Sequence, residues 1–258
     1  MNQKSWNAIG PVHRDLFFDF YVNKFKRKGY SCLHWREKSY LEQIGIRNKK
    51  VIQLCCNNGR EALSIKNLGA KEVLGIDFSR DFIRQARELS NVSNIKVDFL
   101  TQDVLNIPSK YWNKFDVVYI SAGTIEWFQN INHLFLIISK LLKKGGFLFM
   151  HEIHPFSHMI KLQNIGFSRK IKFSESYFNR RILSGKNMVT YFPGRYPKLD
   201  KQYVFPHTIS DIMKDLLSNR FIITDFTEYP EDISGLFQYV EDLDIKFPLS
   251  YILVAKKK

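Results

Sequence analysis

Between residues 51 and 153, short apolar runs alternate with stretches of helical periodicity. The runs at 51–55, 72–77, 95–100, 115–121 and 146–153 read as strands, too continuously apolar to be half-exposed. The stretches at 59–68, 79–89 and 131–142 read as the helices between them. This order predicts a mostly parallel sheet with crossover helices on both faces. Ser79 suits an N-cap, and Gly145–Gly146 suit the end of the third helix. Further on, Thr208 with Asp211 marks another helix start. Ile209, Ile212, Met213, Leu216 and Leu217 would then share one face. The runs at 220–227 and 250–255 are expected to close the sheet as a terminal antiparallel pair.

The flanks follow different patterns. Residues 1–49 look helical but irregular, with Trp6, Phe17, Phe18, Phe20, Tyr21 and Phe25 among them. The periodicity fails from 156 to 206, which is rich in Phe, Tyr, Arg and Pro and includes YFPGRYP at 191–197. That is long for a loop, so a lid or substrate insertion is expected. The chain then divides as one domain: an N-terminal helical cap (1–49), a core (50–155), the insertion (156–206), and a closing helix and strand pair (207–258).

Composition narrows the class. The 258 residues suit a single α/β domain, and 45% hydrophobic content excludes disorder. No apolar run approaches the ~18 residues that span a bilayer. Nor do the first residues resemble a secretory signal. Cys32, Cys55 and Cys56 cannot build a disulfide framework, so a reducing cytoplasm is the expected location. The net charge of +14 raises nucleic acid as a partner. The basic residues are scattered, however, and accompany no nucleic-acid motif, so a solvated lysine-rich surface is the better expectation.

Four features stand in the order that a nucleotide-type cofactor needs. Strand 51–54 runs into CCNNGRE and a helix, bringing backbone amides close to a ligand. Asp77 ends the second strand, where a carboxylate can accept both ribose hydroxyls. Asp103 follows the third strand and could take an adenine amino group. FDVVYISAG brings the end of the fourth strand, and then Trp127, to the same place. A dinucleotide such as NAD is disfavoured, because only one glycine remains of the G-x-G-x-x-G that cradles a pyrophosphate.

With these residues in place, the segment from about 50 to 155 resembles the class I S-adenosylmethionine (SAM)-dependent methyltransferases. LCCNNGRE, GAKEVLGIDFS and ARE are similar to a small-molecule, natural-product branch of that superfamily. The resemblance implies a Rossmann-like sheet of seven strands with the last antiparallel, and SAM as cofactor, leaving S-adenosylhomocysteine. It also implies a cofactor site made of Cys55, Asn57, Gly59, Asp77, Phe78, Asp103, Val104 and Ser121. Cys55 and Asn57 stand where glycine is usual, and Gln53 where an acid is common.

Methyl transfer requires aligning an acceptor and sometimes removing its proton. HEIHPFSH at 151–158 supplies Glu152, His154 and His158 beyond the fifth strand, and His207 precedes the late helix. His154 and His207 are the expected catalytic histidines, with Glu152 as carboxylate partner. A metal is not expected, because Pro155 interrupts the helix that His151, His154 and His158 would need to converge. No N-P-P-Y-like sequence follows the fourth strand, which argues against methylation of nucleic-acid bases. An aromatic lid favours an apolar small molecule or modified peptide, and Glu126 with Glu152 could attract an amine. N-methylation is therefore slightly favoured over O-methylation. RNA methylation and non-catalytic SAM binding remain the alternatives.

Overall fold

The computed structural model describes residues 2–165, 168–189, 192 and 194–258; of the segment 191–197, Tyr191 and Pro193 lie outside the described residues. Two helices come first, α1 (Gln3–Phe25) and α2 (Trp35–Gln43). The core follows as β1 (Lys50–Leu54), α3 (Arg60–Asn67), β2 (Glu72–Asp77), α4 (Arg80–Val92), β3 (Asp98–Thr101), β4 (Phe115–Ile120), α5 (Ile131–Leu141) and β5 (Leu142–Ile153). Two hairpins occupy the insertion: β6 (Ile160–Ile165) with β7 (Ser168–Phe173), and β8 (Leu183–Gly185) with β9 (Gln202–Val204). Then come α6 (Ile209–Ser218), β10 (Phe221–Tyr229), α7 (Gln238–Glu241) and β11 (Ser250–Lys257).

Seven strands form one sheet in the order β10-β11-β5-β4-β1-β2-β3. Within it β11 runs antiparallel to both of its neighbours, and the pairs β4–β5, β1–β4, β1–β2 and β2–β3 are parallel. This is the seven-stranded, mostly parallel α/β architecture that the alternating runs predict. Its strands are apolar on both sides because helices cover both. Ile52, Leu54, Val118 and Ile120 pack toward α5 and α6. Val51, Val117 and Tyr119 pack with residues of α1 to α4. A third cluster joins Ile9 of α1 and Phe82 of α4 to Val189, Phe192 and Leu199 of the insertion.

Local chemistry explains the helix starts. The Ser79 hydroxyl accepts the N–H of Phe82, and Phe82, Ile83, Ala86 and Leu89 form the buried stripe of α4. Thr208 and Asp211 cap α6 reciprocally. Leu217, expected on the apolar face of α6, instead points outward at 60% exposure; Ile212 and Leu216 alone carry the fully buried stripe.

Gly145 and Gly146 also act differently than expected. α5 ends at Leu141, four residues before the pair, and the glycines lie inside β5. There the pairing with β4 jumps from Phe115–Leu142 to Val117–Phe147. The extra residues bulge, and a Cβ on Gly146 would stand 3.0 Å from the Asp116 carbonyl oxygen. The third strand starts later than expected, at Asp98.

The turn after β1 holds three left-handed residues, Cys55 (φ 54°), Asn57 (φ 50°) and Gly59 (φ 77°). The chain thus keeps the path of a glycine loop with two side chains in it. Gly59 has no such latitude: a Cβ there would lie 2.6 Å from Phe99 and 2.8 Å from Ala86. Gly59→Ala is expected to lower stability by about 2–4 kcal/mol, combining left-handed strain with overpacking. A urea midpoint equal to wild type would contradict this.

Candidate active site

Where β1 and β4 diverge, the chain order of the sheet reverses, and loops leave the strand ends in opposite directions. A cavity of about 700 Å³ opens there. That is within the ~300–1,000 Å³ typical of ligand sites, with room for a cofactor and an acceptor together. Of the residues expected at a cofactor, Cys55, Asn57, Asp77, Phe78, Asp103, Val104 and Ser121 line it. Gly59 does not; it faces Phe99 and Ala86 and serves the turn and the packing of α3.

Asp77 is almost fully buried, with one carboxylate oxygen accepting the N–H of Asn57 (2.9 Å) and the other that of Ser79 (2.8 Å). It therefore ties the β1 turn to the start of α4. Each oxygen retains a lone pair that could take a hydroxyl. Burial pushes its pKa up to about 6, against the pull of its backbone donors. Asp103 is exposed at the rim and holds its own turn, accepting from Leu105 N–H (2.9 Å) and Asn106 Nδ2 (2.8 Å). Cys56 is buried and Cys55 partly so, and desolvation raises both thiol pKa values well above normal, so they are not poised as nucleophiles.

Within β1, Gln53 is completely buried, and neither its amide nitrogen nor its oxygen has a hydrogen-bond partner among the described residues. It sits two residues before Cys55 and in register with Tyr119, two residues before Ser121. An orphaned amide two residues before the turn that lines the cavity, the buried carboxylate of Asp77, that of Asp103 at the rim and the apolar Phe78 and Val104 together match a nucleoside carrying an amino-acid tail. The residues present fit SAM.

The expected catalytic group is not assembled at this cavity. Glu152 is buried behind the β4 loop, where its carboxylate accepts from Gly123 N–H (2.7 Å), Thr124 N–H (3.1 Å) and Ile125 N–H (3.3 Å). Burial pushes its pKa up while the three amides oppose the shift. It anchors the loop rather than facing an acceptor. His154 turns away as well: Nδ1 accepts the N–H of Phe156 and Nε2 meets Glu228 at 2.8 Å. Its ring packs edge-on against Tyr251. His207 lies outside the main cavity, with Nε2 donating to the Phe128 carbonyl (2.7 Å). β5 runs three residues past its last pairing with β4, which sets Glu152 against the loop after β4, while His154 follows the strand toward Glu228 of β10 and His207 lies just before α6.

Glu126, rather than Glu152, is the acid after β4 that lines the cavity. It follows β4 in a short turn, lines the cavity, and lies 3.5 Å from His158 Nε2. Burial pushes its pKa up to about 7 and that of His158 down to about 4. Around Glu126 the wall is apolar. Trp6 of α1 meets Trp127 edge-on at 5.3 Å, and Met188, Phe205 and Leu236 come from the insertion and the segment after β10. Arg60 and Glu61 at the start of α3 also reach the cavity, paired at 2.6 Å, and Arg60 donates to the Tyr21 hydroxyl. In the sequence, Glu126 carried a signal, an acid soon after a strand end. Met188, Phe205 and Leu236 carried none, because their approach depends on how remote loops fold back.

Comparison with known proteins agrees with this geometry. A family profile described as "Methyltransferase domain" matches residues 51–146. A ubiquinone biosynthesis O-methyltransferase of Proteus mirabilis is 29% identical over 110 residues, 43% of this chain and 44% of that protein. The chain spans well under two thirds of the length of the curated relatives it matches, 30% in one case. Among solved structures, an S-adenosylmethionine-dependent methyltransferase from Mesorhizobium loti superposes with a TM-score of 0.63 at 16% identity, over 85% of this chain and 96% of that one. The glycopeptide N-methyltransferase MtfA, complexed with SAM, superposes with a TM-score of 0.57 at 14% identity, over 86% and 93%. At such identities these structures establish the shared fold. Among the described residues no helix is long and apolar enough to cross a membrane. Residues 51–146 thus match a methyltransferase-domain family profile, and the sheet they build has the fold of solved S-adenosylmethionine-dependent methyltransferases.

Proposed function

We propose that this protein methylates an amine on an apolar small molecule or modified peptide. The observation that carries the reading is Glu126, a carboxylate that lines the same cavity as Trp6, Trp127, Met188, Phe205 and Leu236. An apolar acceptor would bury its body against Trp6, Trp127, Met188 and Phe205. Its ammonium would meet Glu126, which at neutral pH is poised between charge and neutrality and so can take one proton. Cys55, Asn57, Asp77, Asp103 and Ser121 would hold SAM, with Asp77 on the ribose and Asp103 near the adenine. When bound, SAM supplies an electrophilic methyl group. The domain's own part is to align the acceptor, shed water and hold the proton. The insertion, through Met188 and Phe205, would act as a lid. The MtfA fold and its glycopeptide N-methylation agree with this reading, whereas the ubiquinone O-methyltransferases are relatives that act at oxygen.

The test pairs calorimetry against S-adenosylhomocysteine with a panel of aryl-alkyl amines and the matching phenols, followed by mass spectrometry. Methylated amines support the reading; methylated phenols alone would overturn its nitrogen preference. Binding should also depend on pH. Only the ionised Asp77 can accept two hydroxyls, so S-adenosylhomocysteine affinity is expected to rise as pH climbs through about 6. The free protein shows the opposite trend at this group. Its folded pKa is raised, so the fold binds more protons than the unfolded chain, and Asp77's contribution to stability declines over the same window. Flat affinity from pH 5 to 8 would remove Asp77 from the ribose.

A further inference from the structure

A second, water-sized chamber lies behind Glu126. Its volume is about 20 Å³, and Glu126, Glu152, His158, His207 and Tyr251 bring polar atoms to its wall. That is room for one water with several partners. Glu126 belongs to both spaces, because it lines the large cavity and this chamber. On the far side, His158 and His207 also line a cleft of about 10 Å³ with Tyr177 and Glu175, and Glu175 is exposed. This outer segment is fastened to α6. The N–H of Ile209 donates to the Tyr177 hydroxyl at 3.0 Å, and Arg180 meets Asp211 at 2.9 Å. A row of titratable groups therefore leads from the acceptor cavity, through the sheet-end turn, to solvent on another face.

We propose that His158 and His207 form a proton outlet that drains Glu126 away from the cavity. The inference rests on the reading of Glu126 as the acceptor-facing base. The acceptor ammonium gives its proton to the Glu126 carboxylate and keeps the N–H electron pair as the attacking lone pair. The proton then passes from Glu126 to His158 Nε2, 3.5 Å away, while the proton on His158 Nδ1 leaves to the chamber water and on to bulk solvent. One proton reaches solvent per methyl transferred, Glu126 returns to its charged form, and tautomer exchange of the neutral His158 ring through the chamber water frees Nε2 for the next turnover.

A histidine can relay in this way only if it rests neutral, with one nitrogen free to accept. Burial and the neighbouring His207 keep His158 in that state. The facing charges are Glu152 and His158 around Glu126, then His207 beside His158. Asp211, Asp215 and Arg180 act on His207. The outlet matters because a cavity filled by cofactor and acceptor would leave Glu126 no water on the cavity side, so its proton must leave through the chamber behind it. Among these residues Glu126 would touch the acceptor, and His158 and His207 act through it.

The test uses the full chain saturated with S-adenosylhomocysteine and labelled with carboxyl-¹³C glutamate and ring-¹⁵N histidine. Glu126→Gln is expected to change the ring-nitrogen titration of His158, and His158→Gln to move the titration of Glu126. His158→Phe should slow exchange of the Glu126 proton with solvent by about tenfold. Glutamine at 158 should leave S-adenosylhomocysteine affinity unchanged. An unaltered Glu126 titration in His158→Gln, or equally fast exchange in His158→Phe, overturns the outlet and returns the proton to the cavity. If His158→Phe does not fold, His207→Gln reads the same exchange at the outer end. Absence of S-adenosylhomocysteine binding would instead sink the cofactor reading, while the Glu126–His158 coupling stays measurable in the free protein.

Discussion

Glu126→Gln is expected to leave S-adenosylhomocysteine affinity near wild type and to slow amine methylation by on the order of 10²- to 10⁴-fold. Glutamine preserves the volume and the polar contact with His158 but can neither carry charge nor accept the acceptor's proton. Glu126 follows β4, whereas Asp77 and Asp103 follow β2 and β3, and on the proposed reading it faces the acceptor, so cofactor binding has no reason to change. Single-turnover rates across pH separate a chemical role from a structural one. The wild-type rate should rise through about pH 7, where Glu126 loses its proton, and the variant should lose that step. A variant with wild-type rate and pH profile would show that Glu126 is only part of the wall.

The second large effect concerns Asp77→Ala. The substitution removes the acceptor for Asn57 N–H and Ser79 N–H and deletes the group proposed to hold the ribose. Each hydrogen bond to a charged partner contributes about 1.5–3 kcal/mol, so losing two should weaken S-adenosylhomocysteine binding by at least 10²-fold, on the order of 3 kcal/mol or more. Asp77→Asn separates the two roles. It keeps one oxygen for a backbone amide, so the turn should survive, yet it cannot accept from two hydroxyls and both amides at once. Calorimetry should find alanine worse than asparagine, and both far weaker than wild type. Equal affinity in wild type and Asp77→Ala would refute the assignment.

The contrast between Asp77 and Glu152 shows which features a sequence reveals. Asp77 stands at the end of a strand that is apolar throughout and just before a capped helix. Strand period, turn and cap all locate it, and it lines the cavity. Glu152 also stands at a strand end and looks equally functional on paper. Its fate depends on the loop at 123–125, thirty residues earlier, whose amides converge on it. No local pattern encodes that convergence. His154 fails for a related reason, because its partner Glu228 comes from a strand more than seventy residues later.

Gly59 teaches a subtler distinction. Its conformation was legible, since a tight turn between strand and helix requires positive φ there. Its role was not, because the missing Cβ makes room for Phe99 and Ala86 instead of a ligand. The side chains at Cys55 and Asn57 do not straighten the turn either; both take the left-handed conformation that glycine would. Asparagine tolerates that region through local hydrogen bonding; here the Asn57 Oδ1 accepts the N–H of Asn58.

By itself, then, the sequence determined the sheet, its crossover helices, the antiparallel close and the row of acids at the strand ends. These follow from hydrophobic period and capping chemistry, which act within a few residues of each other. Tertiary structure alone decided which carboxylates line the cavity, which histidine lies beside Glu126, and which residues of α1, the insertion and the segment after β10 reach the same cavity. Those choices are made where chain segments far apart in sequence meet, and a buried polar group's role depends on which of them reaches it first.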